Sequence, residues 1–298
     1  MNRFTFLGLL FLFTSCQKAT ESERSNDHGS NTILTTFYPT TYFAQRIAGE
    51  ELKVDCPLPD GADPIFWMPD AEAMQRYQAA DLILLNGAAF EKWVDKVSLP
   101  SSRVIDTASV LEDRLVSYQE ASAHRHGPEG DHMHEGIDGH TWVDPLNALA
   151  QAQVIAASLT KRWPEHTDIF ASGLAQLELD LLALDARFQA FAKVWGKRLL
   201  LASHPAYNYL AKRYGLEIAS LDLDPEQVDA ASYEEIKAHR ATVLLWEGEP
   251  TEAIAAKVSE LGLRNVLVSP CEGNPGEGQD YLSVMRANLD RLEALTKE

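Results

Sequence analysis

The sequence predicts an α/β protein of two lobes, each a parallel four-stranded sheet flanked by helices, joined by one long interdomain helix. Three observations carry this. Eight short β-branched or leucine-rich runs fall into two sets of four, each run closed by turn residues and interleaved with helical patterns, the alternation that builds parallel sheets covered by helices. Between the sets, Leu174, Leu177, Leu181, Leu184, Phe188 and Phe191 recur at steps of three and four, one stripe along a single helix. Finally, 298 residues, 45% apolar and 23% charged, suffice for two domains with a core each.

The N-terminus carries Arg3, an apolar run from Phe4 to Phe13, then Thr14 and Ser15 before Cys16. Residues 1–15 read as a signal peptide ending in a lipobox, with Cys16 as the lipidated first residue; an ordinary secretory signal with a chance cysteine is the alternative. Either way the protein is exported, to the periplasm or the cell surface, and the run is too short to span a bilayer as a helix. Residues 16–31 are polar and cannot bury enough apolar surface to fold, which suits a tether. A net charge of −18 repels nucleic-acid phosphates and anionic lipid and favours cationic ligands.

The first lobe, residues 32–163, takes its strands from TILTTFYP, LKVDCPLP, DLILLNG and RVIDTA. Near its end lies a Gly-rich segment, 124–140, holding His124, His126, His132, His134 and His140. It reads as a mobile loop of nitrogen donors suited to zinc, copper, nickel or iron. His140 differs from its neighbours because Trp142 and Val143 begin ordered structure and Asp144-Pro145 opens a helix. That rigid placement suits a primary ligand; a helix-entry hydrogen bond is the plainer role. The stripe places a linking helix over 164–195, about 32 residues and about 48 Å long. Packing along both lobes accounts for the stripe, with a coiled-coil seam as the alternative.

The second lobe, 196–298, takes its strands from RLLLASHP, EIASLDL, TVLLWEG and NVLVSP, with helices in AYNYLAKRYG and TEAIAAKVSELG. His204 and Glu247 each close a buried run, at strand ends where open α/β sheets bind ligands. Glu247 reads as a metal ligand or as the carboxylate that orients an imidazole. Trp67, Trp93, Trp142 and Trp246 read as core or crevice walls, and Asp222 and Asp224 as turn residues. Cys56 and Cys271 are free to pair or to stay apart.

With these residues placed, the sequence resembles the metal-specific substrate-binding lipoproteins of bacterial ABC transporters that take up zinc and manganese. The stretches are LTTFYPTTYFAQRIAGE, PDGADP, AADLILLNGAAFEKW, GHTWVDPLNA, LASHPAYNYLAKRYGLE and YLSVMRANLDRL. The resemblance implies two lobes on a rigid helix, one metal ion between them, and delivery to a permease with its ATPase. It puts ligands on His140 and His204. The family's first histidine falls on Ile65, which cannot coordinate, and its late carboxylate falls near Ser269.

Zinc takes four ligands, so further groups are expected: His132 and His134 from the loop, then Glu247, Cys271 or Glu272. Imidazole donors favour Zn2+ over Mn2+ as cargo. The expected protein is a non-enzymatic monomeric receptor without nucleic-acid partners. Its rivals are a secreted zinc hydrolase built on His140 and His204, which lacks a His-Glu-x-x-His or Gly-x-Ser-x-Gly run, and a lipid-anchored metal store or chaperone. A further reading takes a metal complex, with Ile65, Phe66 and Trp67 as an apolar wall.

Overall fold

The computed structural model describes Met1 and residues 31–118, 122–125, 131–134 and 136–297, with backbone alone for 122–125 and 131–134. The signal peptide, Cys16, the tether as far as residue 30 and His126 lie outside the described residues.

In the first lobe β1 (Thr32–Thr35) leads through α1 (Tyr38–Ala48) to β2 (Lys53–Asp55), then through α2 (Ala71–Ala79) to β3 (Leu82–Leu85) and β4 (Val104–Asp106). The four strands form one parallel sheet in the order β2-β1-β3-β4. An antiparallel ribbon follows, β5 (Ser122–Arg125) with β6 (Asp131–His134), and then α3 (Pro145–Arg162) and α4 (Thr167–Trp195). The second lobe runs β7 (Leu200–Ala202), α5 (Asn208–Tyr214), β8 (Ile218–Ser220), α6 (Ala230–Ala238), β9 (Val243–Trp246), α7 (Glu252–Glu260), β10 (Arg264–Leu267) and α8 (Tyr281–Ala294). Its sheet is also parallel, in the order β10-β9-β7-β8.

The central strands are covered on both faces, which is why they read as unbroken apolar runs rather than alternations. All four residues of β3 and of β9 are buried. Successive side chains serve different cores, as a period of two requires. Leu82 and Leu84 join the core shared by both lobes, while Ile83 and Leu85 face an outer cluster with Tyr77 and Trp93. Val243 and Leu245 likewise join the shared core, and Leu244 and Trp246 an outer one.

The helix expected over 164–195 begins later, because Pro164–His166 form a 3-10 turn before α4. Its 29 residues extend about 44 Å at 1.5 Å per residue. Leu177, Leu181, Leu184, Phe188 and Phe191 are at most 2% exposed, in one continuous core with Ile33 of the first sheet and Leu200 of the second. The stripe is therefore filled from within the chain. At Gly173 a Cβ would lie 2.5 Å from the carbonyl oxygen of Arg46 and 2.8 Å from Cα of Ile47, so glycine sets the close approach of α1 to α4.

The histidine segment departs from the expected loop. β5 and β6 pair with His124 opposite His132 and Ser122 opposite His134. The pairing continues in its stem, where Ser117 bridges Ile137 and the amide of Asp138 donates to the carbonyl of Val116 at 2.8 Å. A segment with alternating side chains accepts a two-stranded ladder that satisfies its backbone groups. Cys56 and Cys271 are free thiols. Among the described residues no helix is long and apolar enough to cross a membrane.

Candidate metal centre

In the second lobe the chain leaves β7 for β8 on one side, while β9 pairs on the other. This reversal of strand order opens a crevice at the carboxyl ends of β7 and β9. His204 lies two residues beyond β7 and Glu247 directly after β9. The Ser203 hydroxyl accepts from the Glu247 amide at 3.2 Å and so ties the two strand ends together. His204 Nδ1 and Glu247 Oε2 are 3.9 Å apart. Across the crevice His140 stands at the head of a 3-10 turn, Thr141–Val143, packed against Phe90 and Trp142. The two imidazoles meet edge to face, centroids 5.6 Å apart.

Asp138 orients His140. Its Oδ1 accepts from the His140 amide at 2.9 Å and lies 2.7 Å from Nδ1, while Asn208 of α5 donates to Oδ2 at 3.0 Å. A carboxylate at Nδ1 fixes the proton there and presents Nε2 as the coordinating nitrogen. Tyr118, at the stem of the ribbon, also bonds Asp138 Oδ1 at 3.1 Å. Sequence reasoning missed Asp138; its one signal was an Asx residue two positions before a candidate ligand.

His140 is 1% exposed, and Glu272 Oε1 lies 2.8 Å from its Nε2, although the nitrogen has no partner in hydrogen-bond alignment. Glu272 owes its position to Cys271, a non-glycine residue at φ 61 whose amide donates to Ser269 Oγ at 3.1 Å. Such a left-handed turn is uncommon for a side-chain-bearing residue. Burial works against a charge on the His140 ring, but Asp138 and Glu272 outweigh it and push the ring up to about 10. Glu247 is pushed up to about 8, by burial first and then by the nearby Glu272 charge. The floor thus holds two carboxyl groups and two imidazoles, of which Glu247 and His140 retain protons that a divalent cation can displace.

His204, Glu247 and Glu272 open into a cavity of about 860 Å³ whose lining also includes Ile65 and Phe66. Ile65 is a wall residue, its amide donating to Asp63 Oδ1 at 2.8 Å. The Ser269 hydroxyl accepts from the Cys271 amide in the turn. His132 and His134 lie in β6, their side chains outside the described residues. Among the described residues no three His, Cys, Asp or Glu side chains stand at ligand spacing around one point. The four groups form two facing pairs, His140 with Glu272 and His204 with Glu247. Trp93, Trp142 and Trp246 are buried core residues, Trp67 packs on Trp93, and Asp224 caps a turn at Glu226.

Two α/β lobes with strand ends facing a shared cleft of imidazoles and carboxylates define a solute-binding protein. Residues 33–295 match the family described as Zinc-uptake complex component A periplasmic, and the chain belongs to that family. It is a solute-binding family rather than an enzyme family, and its members act outside the cytoplasm. The chain is 29% identical over 306 residues to the high-affinity zinc uptake system protein ZnuA of Bacillus subtilis, covering 97% of this chain and 95% of the relative. It is 29% identical over 292 residues to the zinc-binding lipoprotein AdcA of Streptococcus pneumoniae serotype 4, covering 93% of this chain and 58% of that relative's length. The crystal structure of the Zn(II)-bound ZnuA-like domain of Streptococcus pneumoniae AdcA superposes with a TM-score of 0.76 at 25% identity, covering 90% of this chain and 99% of that one.

Proposed function

We propose that the protein captures Zn2+ in the interlobe cleft and delivers it to an ABC permease driven by its ATPase, working as a monomer held to the membrane through Cys16. The proposed ligands are His140 through Nε2, His204, Glu272 and Glu247. Zinc accepts nitrogen and carboxylate oxygen in a tetrahedral set, so these four suffice and the histidine ribbon is left for capture at the mouth. The observation that carries the reading is the buried Nε2 of His140, fixed by Asp138 and set 5.6 Å, ring to ring, from His204. The ion would arrive at a buried His140 Nε2 that has no aligned hydrogen-bond partner among the described residues, with Glu272 Oε1 beside it, and would draw together two carboxyl groups that otherwise repel.

Calorimetric titration tests this. His140→Ala combined with His204→Ala should weaken zinc binding at least about 100-fold, since removing half of a four-ligand set leaves the remaining carboxylates to compete with water. Undiminished affinity in the double variant would overturn the assignment. Deleting residues 124 to 134 should remove only weak additional ions and leave the tight site intact. Manganese, which favours oxygen donors, should bind more weakly than zinc in the same titration.

A further inference from the structure

We propose that Asn208 is a positioning residue that ties the two imidazole ligands together across the seam between the lobes, so that His140 and His204 hold their aim as one unit. This rests on the zinc reading above and concerns what keeps the ligands in place.

Asn208 opens α5, shortly after His204. Its side-chain nitrogen donates to Asp138 Oδ2 at 3.0 Å and to the carbonyl oxygen of Pro205 at 3.1 Å. Both partners are acceptors, so the atom that faces them is the NH2 of the amide, with one hydrogen for each. The first bond reaches the carboxylate of the first lobe whose Oδ1 lies 2.7 Å from His140 Nδ1. The second reaches the residue that directly follows His204. The torsion that turns a carboxylate is broad, and a donor on each oxygen fixes its plane. Oδ1 takes the His140 amide, the His140 ring and the Tyr118 hydroxyl, and Asn208 supplies the donor at Oδ2.

The neighbours of Asn208 extend the tie. Tyr209 donates to the Asp138 carbonyl at 2.6 Å. Tyr207 donates to the Val268 carbonyl at 2.5 Å, just beyond β10, where the chain heads for the turn that carries Glu272. On the other side of His204, the Ser203 hydroxyl accepts from the Glu247 amide. The stretch from Ser203 to Tyr209 therefore carries one proposed ligand and reaches the chain that holds each of the other three. The bonds of Asn208 and Tyr209 to Asp138 also cross from the second lobe to the first. A shift at the seam large enough to break them frees the carboxylate, and with it the aim of His140, while no ligand is touched directly.

Calorimetry with zinc, and visible absorption with Co2+ in its place, test this on the full mature chain. Asn208→Ala should weaken zinc binding about 10-fold, the lower end of what losing a group behind a ligand costs. Asn208→Asp has the same shape but sets a carboxylate against Asp138 and a carbonyl, all of them acceptors, and should cost about 100-fold. In both variants the cobalt spectrum should lose intensity as the site loosens and takes up water, because tetrahedral cobalt absorbs more strongly than octahedral. A lower denaturation midpoint, with zinc affinity and cobalt spectrum as in the parent chain, would make the asparagine purely structural and overturn the proposal. In an Asp138→Asn background the loss from Asn208→Ala should shrink, since residues that act through one another are not additive; losses that simply add would overturn the route through Asp138. Undiminished zinc affinity in His140→Ala with His204→Ala would instead remove the underlying reading, and this proposal with it.

Discussion

Asp138 is the residue on which His140 depends, since one carboxylate fixes both the ring proton and the backbone turn that carries the ring. Asp138→Asn keeps the shape but loses the charge, and loss of such a partner costs about 10- to 100-fold in metal affinity. Competition against a chromogenic chelator should read that loss with the circular dichroism spectrum unchanged. Glu91 gives a second test, of stability. Burial raises its carboxyl above the ordinary value of 4.5, and hydrogen bonds from Thr36, Asn86 and Gly87 pull it only part of the way back. The folded chain therefore keeps a proton that the unfolded chain has lost, so this contribution is present below pH 4.5 and fades as pH rises through the raised value. Glu91→Gln should flatten that decline, measured as urea midpoints at about pH 4.5 and about pH 7. His140 and His204 were legible because each closes a recognisable stretch of sequence. The position of Glu272 depends on a left-handed residue at Cys271, and no spacing rule reports that.

At the scale of elements, the central strands could be read as apolar runs because they are buried on both faces, and the partly exposed edge strands β2, β4 and β8 could be read from the turn residues and helical patterns around them. The ribbon could not. Its glycines and histidines lack the β-branched or aromatic residues that mark a strand, and its pairing rests on backbone bonds continued from the stem at Ser117 and Ile137. The start of α4 was misplaced by three residues because Pro164 opens a tighter turn first. Where α1 crosses α4 the fit leaves no room for a methyl group at Gly173. Gly173→Ala should destabilise the fold by about 1–3 kcal/mol, the usual cost of overpacking a tight contact, read as a lower denaturation midpoint. An unchanged midpoint would show that the two helices can slide apart freely.

For the whole molecule, the decisive fact is that one core runs from Ile33 to Leu295 through both sheets and α4. Trp142 donates to the Pro270 carbonyl at 2.8 Å, Tyr281 donates to the Trp142 carbonyl at 2.7 Å, and Arg213 pairs with Asp144 across the seam. The chain should therefore unfold in a single calorimetric transition with equal calorimetric and van't Hoff enthalpies. Two resolved transitions would mean that the lobes are independent. On α4, Asp180 holds Arg46 of α1 at 2.9 Å with one oxygen and Arg286 of α8 at 2.8 Å with the other. Exposed pairs of this kind add little stability, but they lash both halves to the same rod. With both halves sharing one core and one rod at the back, a swing of one against the other would disturb far more buried contacts than a rearrangement of side chains at the mouth.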